Sequence, residues 1–134
     1  MVIVYAYVCG DILHYGHLRH LKSAKALGDK LIVGVLTDEA VMERKPRPTV
    51  SFRDRLEMVS ALECVDLAVP QTEYAPHWNV RWVNADILVE SNSHDSILLS
   101  GGQKEMEKRG GRVVTLPYYP EQSSASIKEK IKNG

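Results

Sequence analysis

The sequence predicts an α/β fold built on one doubly wound, parallel, five-stranded sheet with flanking helices. Two observations carry this. Short apolar runs alternate with longer amphipathic stretches, and each short run is apolar almost throughout. The alternation is that of strands joined by crossover helices. Near-continuous apolarity marks strands covered on both faces.

The predicted strands are residues 2–8, 31–36, 66–69, 86–89 and 112–116. The first helix is expected over 16–27, where Leu18, Leu21, Ala24 and Leu27 recur at helical spacing and Gly28 supplies the stop. A second is expected over 51–63. Ser51 is its N-cap, Asp54 stands in its first turn, and Leu56, Val59, Ala61 and Leu62 form its buried side. Weaker patterns predict helices at 38–44 and 103–109, and a closing helix at 124–132 capped by Ser123 or Ser124. No repeat, low-complexity run or linker interrupts the pattern. The expectation is one Rossmann-like domain over 1–134.

Composition narrows the function. Lysine plus arginine and aspartate plus glutamate both count 17, and this balance argues against bulk nucleic-acid binding. Cys9 and Cys64 are too few for a disulfide framework and lack metal-ligand spacing. The apolar start is far shorter than the roughly 20 residues that cross a bilayer. A soluble, reduced, cytoplasmic protein is expected, without a membrane partner.

Three segments carry chemistry. Asp11-Ile12-Leu13-His14-Tyr15-Gly16-His17 lies between the first strand and the first helix. Ligands of open parallel sheets bind beyond the strands' carboxyl ends, and a helix start there offers N–H groups and a positive dipole end to phosphate. His14 and His17 add donors, and Gly16 lets a phosphate approach the backbone. Asp11 could touch a magnesium ion, although no third ligand stands at a diagnostic spacing.

The second segment is Arg44-Lys45-Pro46-Arg47-Pro48, followed by Arg53 and Arg55. The prolines stiffen a basic loop that follows the second strand. Lys45 suits a mobile phosphate contact and Arg55 a bidentate fork. The third segment, 117–127, holds Tyr118, Tyr119 and the serines Ser123, Ser124 and Ser126. Those serines serve either as plain helix caps or as phosphate contacts. The tyrosines either wall a base pocket or pack on the core.

Together these segments resemble the small cytidylyltransferases, the group acting on glycerol 3-phosphate, phosphoethanolamine and phosphocholine. The resemblance runs through Gly10–His17, Ala24–Asp29, Val33–Glu39, Lys45–Thr49, Arg55–Val59 and Val65-Asp66. It implies transfer of CMP from CTP to a small phosphorylated or phosphonate alcohol, with magnesium and release of pyrophosphate. By resemblance His14 and His17 stabilise the pentavalent centre, Lys45 bridges acceptor and nucleotide, and Arg55 grips the triphosphate. Cys9, Gly10, Asp11, Gly16, Ser123 and Ser124 complete the nucleotide site, and a homodimer is implied.

Two departures stand out. Glu90-Ser91-Asn92-Ser93 replaces the family's acidic Gly-Asp stretch, and Tyr118 stands where the family's last motif has an arginine. The tyrosine-proline version resembles cytidylyltransferase domains of phosphonate biosynthesis, which act on hydroxyethylphosphonate. His77, Asn92 and Tyr118 are the candidate acceptor contacts. They lie in stretches 74–79, 91–95 and 117–127, of which the first two are otherwise ordinary connecting loops. Trp78 and Trp82, at helical spacing, are read as packing or a dimer face. Competing readings are an ATP-dependent adenylyltransferase, a nucleotide-binding regulator without turnover, and a structural flavodoxin-like module.

Overall fold

The computed structural model describes residues 1–91 and 96–117. Five strands, β1 (Ile3–Val8), β2 (Lys30–Leu36), β3 (Leu67–Gln71), β4 (Ile87–Ser91) and β5 (Arg112–Leu116), form one sheet in the order β3-β2-β1-β4-β5. Every pairing is parallel. The chain winds outward from β1 to β3, then returns to β1's other side as β4. This reversal opens a crevice at the carboxyl ends of β1 and β4. The five-stranded, doubly wound, Rossmann-like sheet is as the sequence predicts.

Helices α1 (Tyr15–Lys25) and α3 (Phe52–Ser60) cover one face, while α4 (His77–Val83) and α5 (Ser96–Lys108) cover the other. The short α2 (Asp38–Met42) follows β2. The two faces differ in chemistry, and β1 shows why. Its side chains alternate across the sheet: Val4 and Ala6 enter an aliphatic core with Leu21, Val33, Val59 and Val89. Tyr5 and Tyr7 enter the other core with Val80, Leu88 and Met106.

A buried phenol needs a hydrogen-bond partner, and both tyrosines have one. Tyr5 donates to Gln71 Oε1 at 2.5 Å and accepts from Asn79 Nδ2 at 2.9 Å, while Tyr7 donates to Glu90 Oε2 at 2.7 Å. Gly34 makes room for this network, because a Cβ there would lie 1.9 Å from the Tyr5 hydroxyl oxygen.

The opposite edge of the sheet is stitched by three aspartates. Asp29, Asp66 and Asp86 accept the backbone N–H groups of Val2, Leu31 and Ile3 at 2.7, 2.8 and 2.8 Å. Lys25 adds an ion pair to Asp66 at 2.6 Å. The amino-terminal edge is thus closed by structural contacts.

Two elements differ from the sequence expectation. Residues 77–79, expected in the connecting loop 74–79, open α4 (His77–Val83), on which Trp78 and Trp82 stand at the helical spacing noted from the sequence. The helix is a mere seven residues long, starts at Pro76 without a side-chain cap, and ends at Asn84 in the left-handed region (φ 56). Those ends offer few sequence signals. Helix α5 begins at Ser96, well before the expected 103, because Gly101-Gly102 lowers its apparent propensity. The same glycines let it pack closely: a Cβ on Gly101 would stand 2.8 Å from His77 Cε1, and one on Gly102 3.0 Å from Leu88 Cδ2. Strand β3 continues through Pro70, which an edge strand tolerates. The expected closing helix at 124–132 lies outside the described residues.

Candidate active site

At the end of β1 the chain turns through Gly10 in the left-handed region (φ +70) and enters the loop leading to α1. His14 is that helix's N-cap. Its Nδ1 accepts the Gly16 N–H at 3.0 Å, and His17 Nδ1 accepts the His14 N–H at 3.2 Å. Two histidines thus satisfy helix-end donors that serine or glutamate more often satisfies.

The consequence is chemical. With both Nδ1 atoms accepting, each neutral ring carries its proton on Nε2, on the ring edge turned away from the helix backbone. The rings lie 4.0 Å apart at a 40° tilt. Burial, followed by the charges of His14 and His20, lowers the His17 pKa to about 4, and burial lowers that of His14. Both are therefore neutral hydrogen-bond donors at physiological pH.

Gly16 is buried and its N–H is taken by His14. The sequence predicts free N–H groups at this helix start; in the structure that of Gly16 is bonded to His14 Nδ1.

Asp11 is buried and accepts the Val50 N–H at 2.8 Å, so it orders the segment after the basic loop. Among the described residues no group of three or more His, Cys, Asp or Glu side chains could hold a metal ion.

Arg55 is 0% exposed and its fork is spent on the protein. Nη1 donates to the carbonyls of Cys9 (2.7 Å) and Leu36 (2.6 Å), Nε to that of Val50 (3.1 Å), and Nη2 to Asp38 Oδ1 (2.7 Å). It thereby satisfies carbonyls at the ends of β1 and β2, where a parallel sheet runs out of partners. The sequence expectation is an open fork for a triphosphate; in this structure the guanidinium ties the ends of β1 and β2 to Asp38 and Val50.

A cavity of about 80 Å³ opens at these strand ends, lined by Tyr7, Val8, Cys9, Leu36, Val41, Lys45 and Tyr74. The structure thus brings Cys9 and Lys45 together on one small cavity, with Lys45 exposed at its mouth. The Cys9 thiol is raised in pKa by burial, which makes it a wall and not a nucleophile. His77 does not line this cavity. It packs against Gly101, and its Nε2 is buried without a hydrogen-bond partner among the described residues. Asn92, Tyr118, Ser123 and Ser124 lie outside the described residues. Trp78 and Trp82 are 59% and 63% exposed on α4, so they do not pack the core.

The sequence of the cytidylyltransferase-like family matches residues 8–130. The chain belongs to that family. It is 38% identical over 127 residues to the bifunctional protein HldE of Coxiella burnetii, covering 93% of this chain and 26% of that protein. The chain thus spans about a quarter of the length of the curated relatives it matches. A solved structure described as a lipopolysaccharide core biosynthesis protein from Thermoplasma volcanium superposes with a TM-score of 0.74 at 30% identity, covering 89% of this chain and 97% of that one. Thermotoga maritima TmcAL bound with alpha-thio ATP shares the fold at a TM-score of 0.69 and 13% identity, covering 99% of this chain and 50% of that one.

The Rossmann-like fold and the family expected from the motifs therefore hold. Several polar residues were not singled out as site residues from sequence. Tyr7, Asp38, Gln71 and Tyr74 shape or brace the crevice, and Glu90 is buried against Tyr7. Their signal was present: Tyr5 and Tyr7 sit two apart in a strand, so their hydroxyls must find partners on one face.

Proposed function

We propose that this chain is a nucleotidyltransferase that moves CMP from CTP to a small phosphorylated or phosphonate acceptor and releases pyrophosphate. The observation that carries the reading is the pair of neutral histidines at the α1 N-terminus, their Nδ1 atoms occupied by backbone N–H groups. Lys45 lies on a separate small cavity at the ends of β1 and β2, which neither histidine lines. In the reaction an ionised acceptor oxygen attacks the α-phosphorus in line. A new P–O bond forms as the bond to the β-phosphate bridging oxygen breaks, and pyrophosphate carries away the electron pair. No proton must move, so catalysis is positioning and charge stabilisation. The Nε2–H groups of His14 and His17 hold the oxygens of the crowded phosphorus, and Lys45 neutralises both phosphates as they approach.

Cys9, Gly10, Asp11 and Gly16 form the floor, and Arg55 fixes it. Ser123 and Ser124 are proposed as nucleotide contacts, and His77, Asn92 and Tyr118 as acceptor contacts, on the family resemblance alone. His77 would have to leave its packing on Gly101 to act so. Magnesium enters as the companion of the triphosphate. The enzyme is proposed to be a cytoplasmic homodimer without nucleic-acid or membrane partners. No described helix is long and apolar enough to cross a membrane.

A second reading keeps the same site with ATP as donor. The alpha-thio ATP held by TmcAL on the same fold favours it.

The deciding experiment is pyrophosphate release with magnesium, crossing CTP and ATP against 2-hydroxyethylphosphonate, glycerol 3-phosphate, phosphoethanolamine and sugar phosphates. The sugar phosphates are included because the Thermoplasma relative is described as serving lipopolysaccharide core biosynthesis. Release with CTP and one acceptor supports the first reading, and release with ATP alone supports the second. Nucleotide binding without release across the panel would replace both with the regulator.

A further inference from the structure

Lys45 stands on an exposed segment, and a lysine reaches its target on a long flexible stem. Such a side chain is well placed only if the backbone beneath it is held. The turn that ends α2 holds that backbone, with the Arg44 and Lys45 N–H groups on the Val41 carbonyl at 3.1 and 2.9 Å. The side chains of the two residues before Lys45 are engaged by one aromatic residue of another loop. The Tyr74 N–H donates to Glu43 Oε2 at 3.0 Å, and the Arg44 guanidinium carbon lies 4.8 Å from the centroid of the Tyr74 ring. A guanidinium over a phenol ring is a favourable contact in itself.

Tyr74 is in turn fixed from behind. Its carbonyl accepts from Gln71 Nε2 at 3.1 Å, and Gln71 is bonded to Tyr5, which is bonded to Asn79. The far end of the segment is fixed separately, because Val50 gives its N–H to Asp11 and its carbonyl to Arg55. The basic loop is thus a strap fastened at both ends, with Lys45 next to the Tyr74 end.

We infer that Tyr74 is a positioning residue for Lys45: by clasping Glu43 and Arg44 it sets the lysine over the mouth of the cavity that Tyr74 itself lines. The inference rests on the proposed role of Lys45 as a phosphate contact. It assigns acceptor use partly to a clasp on the strap and not to side chains that touch the acceptor alone.

The test is a double-mutant cycle on acceptor kinetics with the full chain, using Tyr74→Leu, Lys45→Ala and the pair, with Tyr74→Phe and Glu43→Ala beside them. Tyr74→Leu removes the ring from Arg44 and should raise the acceptor KM about tenfold while the nucleotide KM stays within about twofold. Tyr74→Phe keeps the ring and the backbone N–H and should recover most of that loss. The double variant should be no worse than Lys45→Ala, because Tyr74 acts through the lysine. Glu43 is exposed and does not line the cavity, so Glu43→Ala should fold and still raise the acceptor KM in the same direction. That variant decides the matter if Tyr74→Leu does not fold.

Losses that multiply in the double variant, or a Glu43→Ala protein with wild-type kinetics, would overturn the inference. A Lys45→Ala protein with unchanged acceptor use would instead remove the functional role of Lys45 and the inference with it.

Discussion

The two walls of the crevice are built by different means. On the α1 and α3 side the polar side chains are tied mainly to backbone. Both histidines accept backbone N–H groups, Asp11 accepts another, and Arg55 donates to three carbonyls. On the α4 and α5 side, side chains are tied to one another, Tyr5 with Gln71 and Asn79 and Tyr7 with Glu90, and Gln71 and Asn79 also donate to the carbonyls of Glu73, Tyr74 and Pro70. Backbone partners exist whatever residues stand nearby, so the first wall can keep its geometry while its neighbours vary. A side-chain network requires several residue types at once, and one change disturbs the others. The first wall's geometry therefore depends on fewer residue identities than the second's.

The largest expected effect breaks the first wall's chemistry without its fold. His17→Ala should cut turnover by about 10²–10³, the scale of one lost preorganised donor to a developing oxyanion. It should cost only about 0.5–2 kcal/mol of stability, as a lost helix cap does. Steady-state kinetics and a melting curve on the same preparation check both halves. Turnover within a few-fold of wild type would take His17 out of the site.

Next comes Arg55→Leu, aimed at the fold of the same wall. It leaves the Cys9 and Leu36 carbonyls and the Asp38 carboxylate without their partner, which should cost about 3–5 kcal/mol. A denaturant midpoint measures it. A stable variant that had lost only nucleotide affinity would restore the triphosphate fork. Tyr5→Phe makes the matching change across the sheet, stranding Gln71 Oε1 and one N–H of Asn79, whose Nδ2 keeps its bond to the Pro70 carbonyl, at a cost of about 1–3 kcal/mol. Because Gln71 braces Tyr74, its acceptor KM should rise more than its nucleotide KM. Equal changes in both constants would dissolve the distinction between the walls.

The sequence was more legible on one wall than on the other, for the same reason. The His14–His17 turn is contiguous, lies between a clear strand and a clear helix, and can be read without knowing what packs against it. Tyr74, Gln71, Asn79 and Glu90 acquire meaning only when three separate loops and strands meet. Arg55 shows the limit most plainly. An arginine in the first turn of a helix after a basic loop reads as an exposed phosphate fork, yet its position above the ends of β1 and β2 turns it inward. Periodicity located α3 but could not say which carbonyls its first turn would meet. Helix α4 was hidden by its short length and weak ends, although Trp78 and Trp82 at i and i+4 marked one of its faces.

The smallest effect is a pH dependence that belongs to the first wall alone. His17 titrates at about 4 in the folded protein, lowered by burial and then by His14 and His20, against about 6.5 in an unfolded chain. Between those values the unfolded state binds a proton that the folded state refuses, so stability falls as pH drops from 6.5 towards 4. Above 6.5 both states are neutral and the contribution is flat. His14 shifts in the same direction and steepens the slope. Asp66 and Glu105, whose pKa values are lowered chiefly by hydrogen bonds from Lys25 and Arg81, release their stabilisation only at more acid pH. The windows therefore separate. Melting temperatures of wild type and His17→Gln from pH 7.5 to 5 should converge on the acid side, since the variant lacks the group that resists protonation. Parallel curves would mean that His17 is no more buried in solution than an ordinary surface histidine. The ring could then titrate near neutrality, and its role as a fixed neutral donor would fail.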